Sequence, residues 1–240
     1  MPNDFFQFKQ FRINQGNCGM KVTTESCVFG ALIETEQKTD SLKILDVGSG
    51  TGLLSLMMAQ RFNPRLILGV ELDHDAYMES SDNVLASQWR DIIEFVNTSI
   101  QEFSRSNTEK YDLIISNPPF FKKHLRPSDL KKARAIHADT LPLEDLAQAI
   151  AGLLSERGEF HVLLPEYESA ILQELLKKQN LYLNRSIKVY NTTRSKSVFR
   201  IINAYSFQKK SQPMINFFMR NDQNEYTDEF IKLLRPFYLH

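Results

Sequence analysis

Leu42-Lys43-Ile44-Leu45-Asp46-Val47-Gly48-Ser49-Gly50-Thr51-Gly52 is the stretch that decides the fold. Its first six residues read as a short buried strand, and Leu53-Leu54-Ser55-Leu56-Met57-Met58-Ala59 after it places apolar residues at helical spacing. Strand, glycine turn and helix together open a nucleotide-binding α/β domain, because the turn presents backbone N–H groups at a helix N-terminus. The glycines Gly48, Gly50 and Gly52 fall as G-x-G-x-G. That is not the dinucleotide spacing G-x-G-x-x-G, and no Gly-Lys-Ser/Thr follows to hold a triphosphate. Asp46, immediately before the turn, suits an ammonium group and repels a pyrophosphate. With Ser49 in the turn, the loop therefore fits S-adenosylmethionine better than NAD or ATP.

Downstream, Arg65-Leu66-Ile67-Leu68-Gly69-Val70-Glu71 is a second strand with an acid at its end. An acid about 20 residues past a glycine loop can bind both hydroxyls of a ribose. Leu72 beside it joins the expected cofactor contacts. Asp73 caps a helix expected to run through Trp89, and a third strand lies near Ile92-Ile93-Glu94-Phe95-Val96. After it, Ser99 and Ile100 stand where a polar group and an apolar lid would meet an adenine.

A fourth strand, Tyr111-Asp112-Leu113-Ile114-Ile115-Ser116, delivers Asn117-Pro118-Pro119-Phe120. The exocyclic nitrogen of a base or amide is a poor nucleophile because its lone pair is delocalised. Two acceptors placed about it, the Asn117 side-chain oxygen and the Pro118 carbonyl, would draw that lone pair back. Pro119 confines Pro118 to extended backbone, which fixes the carbonyl direction. Phe120 can stack on the ring, a contact worth roughly 1–3 kcal/mol. An ordinary turn uses the same residue types, so the tetrapeptide gains weight only from its surroundings. In a parallel sheet the glycine loop, Glu71, Ser99 and Asn117 all arrive at one carboxyl edge, where open α/β sheets bind ligands.

The segment from Lys122 to Arg134 carries Lys122, Lys123, Arg126, Lys131, Lys132 and Arg134 against Asp129, a formal +5. Beside a ligand edge such a loop suits a phosphate backbone. His137 and Asp139 follow, although methyl transfer from a sulfonium needs no general base. Helical spacing over Leu143, Leu146, Ala147, Ile150 and Leu154 is followed by a fifth strand from Gly158 to Leu164, then a helix from Pro165 through Lys178. Leu181–Tyr190 and Val198–Phe207 are β segments too closely connected for anything but antiparallel pairing. Arg194 and Lys196 in this hairpin, with Arg200, extend the basic surface. Tyr226–Phe237 reads as an amphipathic packing helix. In front of the first strand, residues 5–13 suggest a short ribbon, and Thr24 or Ser26 caps a helix over Cys27–Ile33. Lys21, Thr23 and Thr24 can hold a small anion such as a carboxylate.

Composition bounds the rest. The 240 residues carry 29 Lys plus Arg and 29 Asp plus Glu, so any case for nucleic acid must be local. One domain is expected, with 1–41 as a segment closing over the cofactor and substrate and 42–240 as the catalytic core. Cys18 and Cys27 form no Cys-x-x-Cys pair and the five histidines are scattered, so no metal site is expected. Scarce cysteine and the absence of a long apolar run or a signal pattern point to a cytoplasmic protein with no membrane partner. A monomer is favoured.

With these residues assembled, the chain resembles the bacterial tRNA1(Val) adenine-N6-methyltransferases, members of the class I S-adenosylmethionine-dependent methyltransferases. The resemblance rests on Asp46-Val47-Gly48-Ser49-Gly50-Thr51-Gly52 and Asn117-Pro118-Pro119-Phe120. Phe8-Lys9-Gln10-Phe11, Gly19-Met20-Lys21-Val22-Thr23-Thr24-Glu25-Ser26 and Phe237-Tyr238-Leu239 narrow it. It implies a Rossmann-like, mostly parallel seven-stranded sheet with an antiparallel C-terminal hairpin and helices on both faces. It further implies that Asp46 and the Gly48–Gly52 turn hold the methionine part, Glu71 the ribose, and the Lys21–Thr24 stretch closes over the cofactor. Asn117, Pro118 and Phe120 would hold the adenine of a tRNA, the one immediately 3′ of the anticodon. Members usually carry an acid after the third strand where Ser99 stands here, and Asp where Glu25 stands. The same chemistry on guanine N2 of ribosomal RNA or on a glutamine amide is the alternative. Guanine enzymes of this kind often have a preceding second domain, and glutamine enzymes a helical front domain. A non-catalytic cofactor-binding module is a further alternative, disfavoured by the intact Asn117–Phe120.

Overall fold

The computed structural model describes residues 3–119, 141–210 and 214–239. A two-stranded antiparallel ribbon, β1 (Phe5–Gln7) and β2 (Arg12–Asn14), comes first, then helix α1 (Thr24–Leu32). The core alternates β3 (Lys43–Val47), α2 (Leu53–Phe62), β4 (Leu66–Glu71), α3 (His74–Leu85), β5 (Ile93–Asn97), α4 (Ile100–Ser106) and β6 (Tyr111–Ser116). Next come α5 (Leu143–Leu153), β7 (Leu154–Leu164), α6 (Glu166–Lys178), β8 (Tyr182–Thr192), β9 (Arg200–Ser206), β10 (Ile215–Arg220) and α7 (Asp228–Leu234).

Among the described residues the large sheet has eight strands in the order β10-β8-β9-β7-β6-β3-β4-β5. All its ladders are parallel except the two made by β9, which runs antiparallel between β7 and β8. The expected hairpin is therefore present, and the expected count of seven is corrected to eight. The extra strand, β10, pairs parallel with β8 at the sheet's edge and buries Phe217 and Met219. The chain leaves β3 towards β4 and β5 and returns to β6 on its other side. This reversal between β3 and β6 opens the crevice at the carboxyl edge.

Alternating side chains of the central strands feed two cores, as a sheet buried on both faces requires. Ile44, Leu113 and Ile115 join α1, α2, the ribbon aromatics Phe8 and Phe11 and the C-terminal Phe230 and Phe237. Leu45, Val47, Ile114, Phe160 and Val162 join α5 and α6 on the opposite face. The C-terminus is sewn to the front of the chain, with Lys9 N donating to Phe237 O at 2.8 Å and Lys9 Nζ to Arg235 O at 2.7 Å.

Several boundaries moved. The helix expected through Trp89 ends at Leu85, and the residues to Asp91 are turns that set Trp89 against Phe11. Helix α4 was not expected. Its capping signal, Ser99-Ile100-Gln101-Glu102, is plain in the sequence once a helix is sought. α1 is capped by Thr23, whose Oγ1 accepts from Ser26 N at 3.3 Å, and not by Thr24 or Ser26. Three hydroxyls in four residues are equivalent by type, and only the extended backbone of Thr23 singles it out.

Candidate active site

One cavity of about 1020 Å³ opens at the carboxyl edge of β3, β4, β5 and β6. Its floor is the turn after β3. Gly48, Gly50 and Gly52 have φ of 72°, 54° and 79°, a left-handed region where side chains are disfavoured, which explains the alternate glycines. Gly48 N and Ser49 N both donate to Val70 O, at 2.9 and 3.2 Å, binding the turn to β4. Glu71 at the end of β4 completes this support. Its Oε2 accepts from Gly50 N at 2.7 Å and its Oε1 from Asp73 N at 2.9 Å, each oxygen retaining acceptor capacity, and the residue lines the cavity.

Asp46 sits a layer beneath this surface. It is fully buried, its Oδ2 accepts from Ser55 Oγ at 2.7 Å, and its Oδ1 has no partner among the described residues. Burial pushes its carboxyl up to about 7, against the lowering effect of Ser55. Asp46 does not line the cavity, and neither do Gly52, Thr23 and Thr24. Lys21, Gly48, Ser49, Gly50, Glu71, Leu72, Ser99, Ile100, Asn117, Pro118 and Pro119 do.

Ser99 is occupied as the cap of α4. Its Oγ accepts from Glu102 N at 3.2 Å and donates to Glu102 Oε2 at 3.3 Å, while Thr98 Oγ1 donates to the same carboxylate oxygen at 3.1 Å. Thr98 and Glu102 are cavity residues that the reading of the sequence passed over. Leu72 is exposed and offers an apolar surface beside Glu71.

The front of the chain forms the facing wall, through Cys18, Gly19, Met20, Lys21 and Val22. Glu79 on α3 pins it. This nearly buried carboxylate accepts from Gly16 N at 2.7 Å, Asn17 N at 3.2 Å and Cys18 N at 3.0 Å. Asn83, one turn on, accepts from Asn14 N and donates to Thr51 O at 3.0 Å, linking the wall to the glycine turn. Neither residue was anticipated, because both look like surface positions of a helix until the front segment covers them.

Asn117 lies at the end of β6, where Ser116 Oγ donates to Val47 O at 2.8 Å and locks β6 against β3. Asn117 Nδ2 donates to Ser26 Oγ at 2.9 Å, and its Oδ1 is buried without a partner among the described residues. Pro118 is buried and Pro119 exposed. Phe120, Lys122, Lys123, Arg126, Lys131, Lys132 and Arg134, with His137 and Asp139, lie outside the described residues. Arg194 and Lys196 stand in the turn after β8, at the same carboxyl edge as Asn117. They are three strand spacings from β6, about 14 Å. Arg194 Nε approaches Asp222 Oδ1 at 3.5 Å, Lys196 is exposed, and Arg200 pairs with Glu25 at 3.4 Å. Among the described residues no cluster of His, Cys, Asp or Glu could hold a metal ion, and no helix is long and apolar enough to cross a membrane.

The donor set fits S-adenosylmethionine. Ser49 and Asn117, which line the cavity, each hold a buried oxygen with no partner among the described residues; Asp46 lies beneath it, Glu71 lines it and Lys21 supplies a cation. Fold and site together define a class I S-adenosylmethionine-dependent methyltransferase. The family model for the methyltransferase small domain matches residues 28–140. Among solved structures, a predicted O-methyltransferase from Agrobacterium tumefaciens superposes with a TM-score of 0.64 at 12% identity, covering 88% of this chain and 95% of that one. TYW2 of M. jannaschii, solved in complex with AdoMet, gives 0.51 at 15% identity, covering 82% and 81%. These likenesses speak for the fold. Full-length relatives narrow the assignment. The tRNA1(Val) (adenine(37)-N6)-methyltransferase of Christiangramia forsetii is 37% identical, covering 100% of this chain and 99% of its own length. Its counterparts in Trichodesmium erythraeum (37%) and Bacteroides fragilis (36%) show the same two coverages. The chain belongs to the tRNA1(Val) (adenine(37)-N6)-methyltransferase family.

Proposed function

We propose that this protein transfers the methyl group of S-adenosylmethionine to N6 of an adenine in tRNA, adenine 37 beside the anticodon of tRNA1(Val). The observation that carries this reading is that Asn117, whose buried Oδ1 has no partner among the described residues, lines the same cavity as the glycine turn and Glu71. When bound, S-adenosylmethionine supplies a methyl group already activated by a positive sulfur. Glu71 holds the ribose hydroxyls, Lys21 the carboxylate, Asp46 and Ser49 support the amino-acid part, and Leu72 and Ile100 flank the adenine. Residues 1–41 close over the cofactor, held by Glu79.

Asn117 Oδ1 and the Pro118 carbonyl each accept one N–H of the target amine. That pulls the nitrogen towards tetrahedral geometry and returns its lone pair from the ring. Phe120 stacks on the base, and Pro119 keeps the Pro118 carbonyl in place. The amine proton leaves to solvent after transfer, so no general base is required. An unpaired anticodon-loop base enters such a pocket at low cost, since little stacking or pairing is lost. Lys122, Lys123, Arg126, Lys131, Lys132 and Arg134, with Arg194 and Lys196 along the same sheet edge, receive the tRNA backbone. A tRNA substrate supports a cytoplasmic location.

The deciding experiment incubates the protein with labelled cofactor and undermodified total RNA, then identifies the labelled nucleoside and its parent RNA. Labelled N6-methyladenosine in tRNA1(Val) is expected, and label on guanine or only on protein overturns the proposal. Neutralising Lys122, Lys123, Lys131 and Lys132 together is expected to weaken RNA binding and flatten its salt dependence. An unchanged slope moves the RNA surface elsewhere.

A further inference from the structure

Asn117 has a symmetry problem that its own sequence neighbourhood does not solve. A carboxamide is nearly isosteric about its end. Rotated by half a turn, it would offer the target amine an N–H donor instead of an oxygen acceptor. Two donors facing each other would repel, and the lone pair of the amine would stay in the ring. Something must decide which way the amide points.

The structure assigns that role to Ser26, and we propose that Ser26 is the positioning residue of the methyl-transfer site. It lies in the first turn of α1, only 5% exposed, and borders the cavity. Its Oγ is 2.9 Å from Asn117 Nδ2 and 2.8 Å from Thr23 Oγ1. Either hydroxyl can donate in the Thr23–Ser26 bond; when Ser26 gives its proton to Thr23 Oγ1, the Ser26 oxygen is left as an acceptor, and the Asn117 N–H fills it. Thr23 is fixed in turn as the cap of α1, taking Ser26 N–H at 3.3 Å. The relay runs from helix cap to serine to asparagine and ends on Asn117 Oδ1, which has no partner among the described residues.

The location adds a second consequence. Ser26 and Asn117 are 91 residues apart, on α1 and at the end of β6. The stretch just before α1, Cys18–Val22, is the wall over the cofactor cavity. The front of the chain therefore does two jobs through adjacent residues, covering the cofactor and orienting the acceptor for the incoming amine.

This inference rests on the proposed amine methylation, and the test separates the two. Wild type, Ser26→Ala and Ser26→Thr are compared for kcat and KM with undermodified tRNA and for the Kd of S-adenosylmethionine. Ser26→Ala keeps the cap, because Thr23 accepts from backbone. It is expected to lower kcat about ten-fold or more while the cofactor Kd stays within about two-fold. Ser26→Thr, which restores the hydroxyl, is expected to recover most of the loss. Unchanged kcat in Ser26→Ala overturns the assignment. So does a loss that appears wholly in cofactor Kd, which would make Ser26 a closure residue. A folded Ser26→Thr as slow as Ser26→Ala overturns it too. If wild type methylates guanine or protein instead of adenine, the function proposed above fails, and the same three kcat values on that amine still judge Ser26.

Discussion

On the β4 side of the cavity, Glu71 takes N–H bonds from Gly50 and Asp73, residues 21 and 2 positions away. On the β6 side, Asn117 Nδ2 donates to Ser26 Oγ, 91 residues away, its one side-chain bond among the described residues. The first arrangement is local and could be assembled by almost any strand–turn–helix–strand unit with these residues. The second exists only when α1 has packed beside the end of β6. The glycine-turn and ribose side of the cofactor site is thus written into a short stretch of chain, while its front wall and the amine half are products of tertiary structure. Changes in the two halves should separate cleanly in binding and in turnover.

The largest separation is expected from Asn117→Ala. Removing one preorganised acceptor of this kind should lower kcat by about 10²–10³ while leaving cofactor affinity within about two-fold, measured by single-turnover methylation and by titration calorimetry. Turnover close to wild type would remove Asn117 from the chemistry and, with it, the contrast between the halves. Glu71→Ala is the mirror image. Losing hydrogen bonds from a charged acceptor should weaken cofactor binding about ten- to hundred-fold, with turnover largely recovered at saturating cofactor. A fall in saturated kcat as deep as that of Asn117→Ala would mean that the halves are coupled.

How much of this was legible in the sequence follows the same division. The strands β3 to β6, the glycine turn and Glu71 could be read because period, turn chemistry and spacing are local signals. The β8–β9 hairpin could be read from its short connection. The edge strand β10 was overlooked although Ile215-Asn216-Phe217-Phe218-Met219-Arg220 alternates its buried residues, because nothing near it signals a partner. The boundary of α3 was overrun because turn residues 86–91 continue into Trp89, whose burial is owed to the ribbon. Ser26 reads, with Thr24, as one of two candidate helix caps. A serine's hydrogen-bond partner 91 residues away leaves no mark in its neighbourhood, whereas Thr23 beside it took the cap by backbone angle alone.

Asp46 sharpens the contrast by pH. Its carboxyl is raised to about 7 in the folded chain, chiefly by burial, against an ordinary value near ~3.9 when unfolded. The folded state then binds more protons than the unfolded state between those values. Its contribution is fully present below about 4 and is lost as pH rises through about 7, with a slope of up to about 1.4 kcal/mol per pH unit. Denaturant titrations should show that slope in wild type and not in Asp46→Asn. If Asp46 also holds the ammonium group of the cofactor, affinity should rise as pH climbs through about 7, because the ionised form is the better partner. Affinity that is flat across that range in wild type would leave Asp46 as a support for the turn through Ser55 alone.

The smallest effect concerns Ser99, where one side chain has two possible employments. Its Oγ accepts from Glu102 N and donates to the Glu102 carboxylate, so in this structure it closes the N-terminus of α4. Loss of a cap costs about 1 kcal/mol, and Ser99→Ala should lower stability by that much in equilibrium unfolding. If capping is the whole of its role, cofactor affinity should move by less than about two-fold, well inside the ~1.4 kcal/mol that marks a ten-fold change. A ten-fold weaker cofactor would show that Ser99 reaches the adenine, and that the cap and the contact share one hydroxyl. Thr98, whose Oγ1 also donates to Glu102, offers the control. Removing that hydroxyl should disturb the same carboxylate without touching the cap, so an equal loss of affinity in both variants would assign the contact to Glu102 instead.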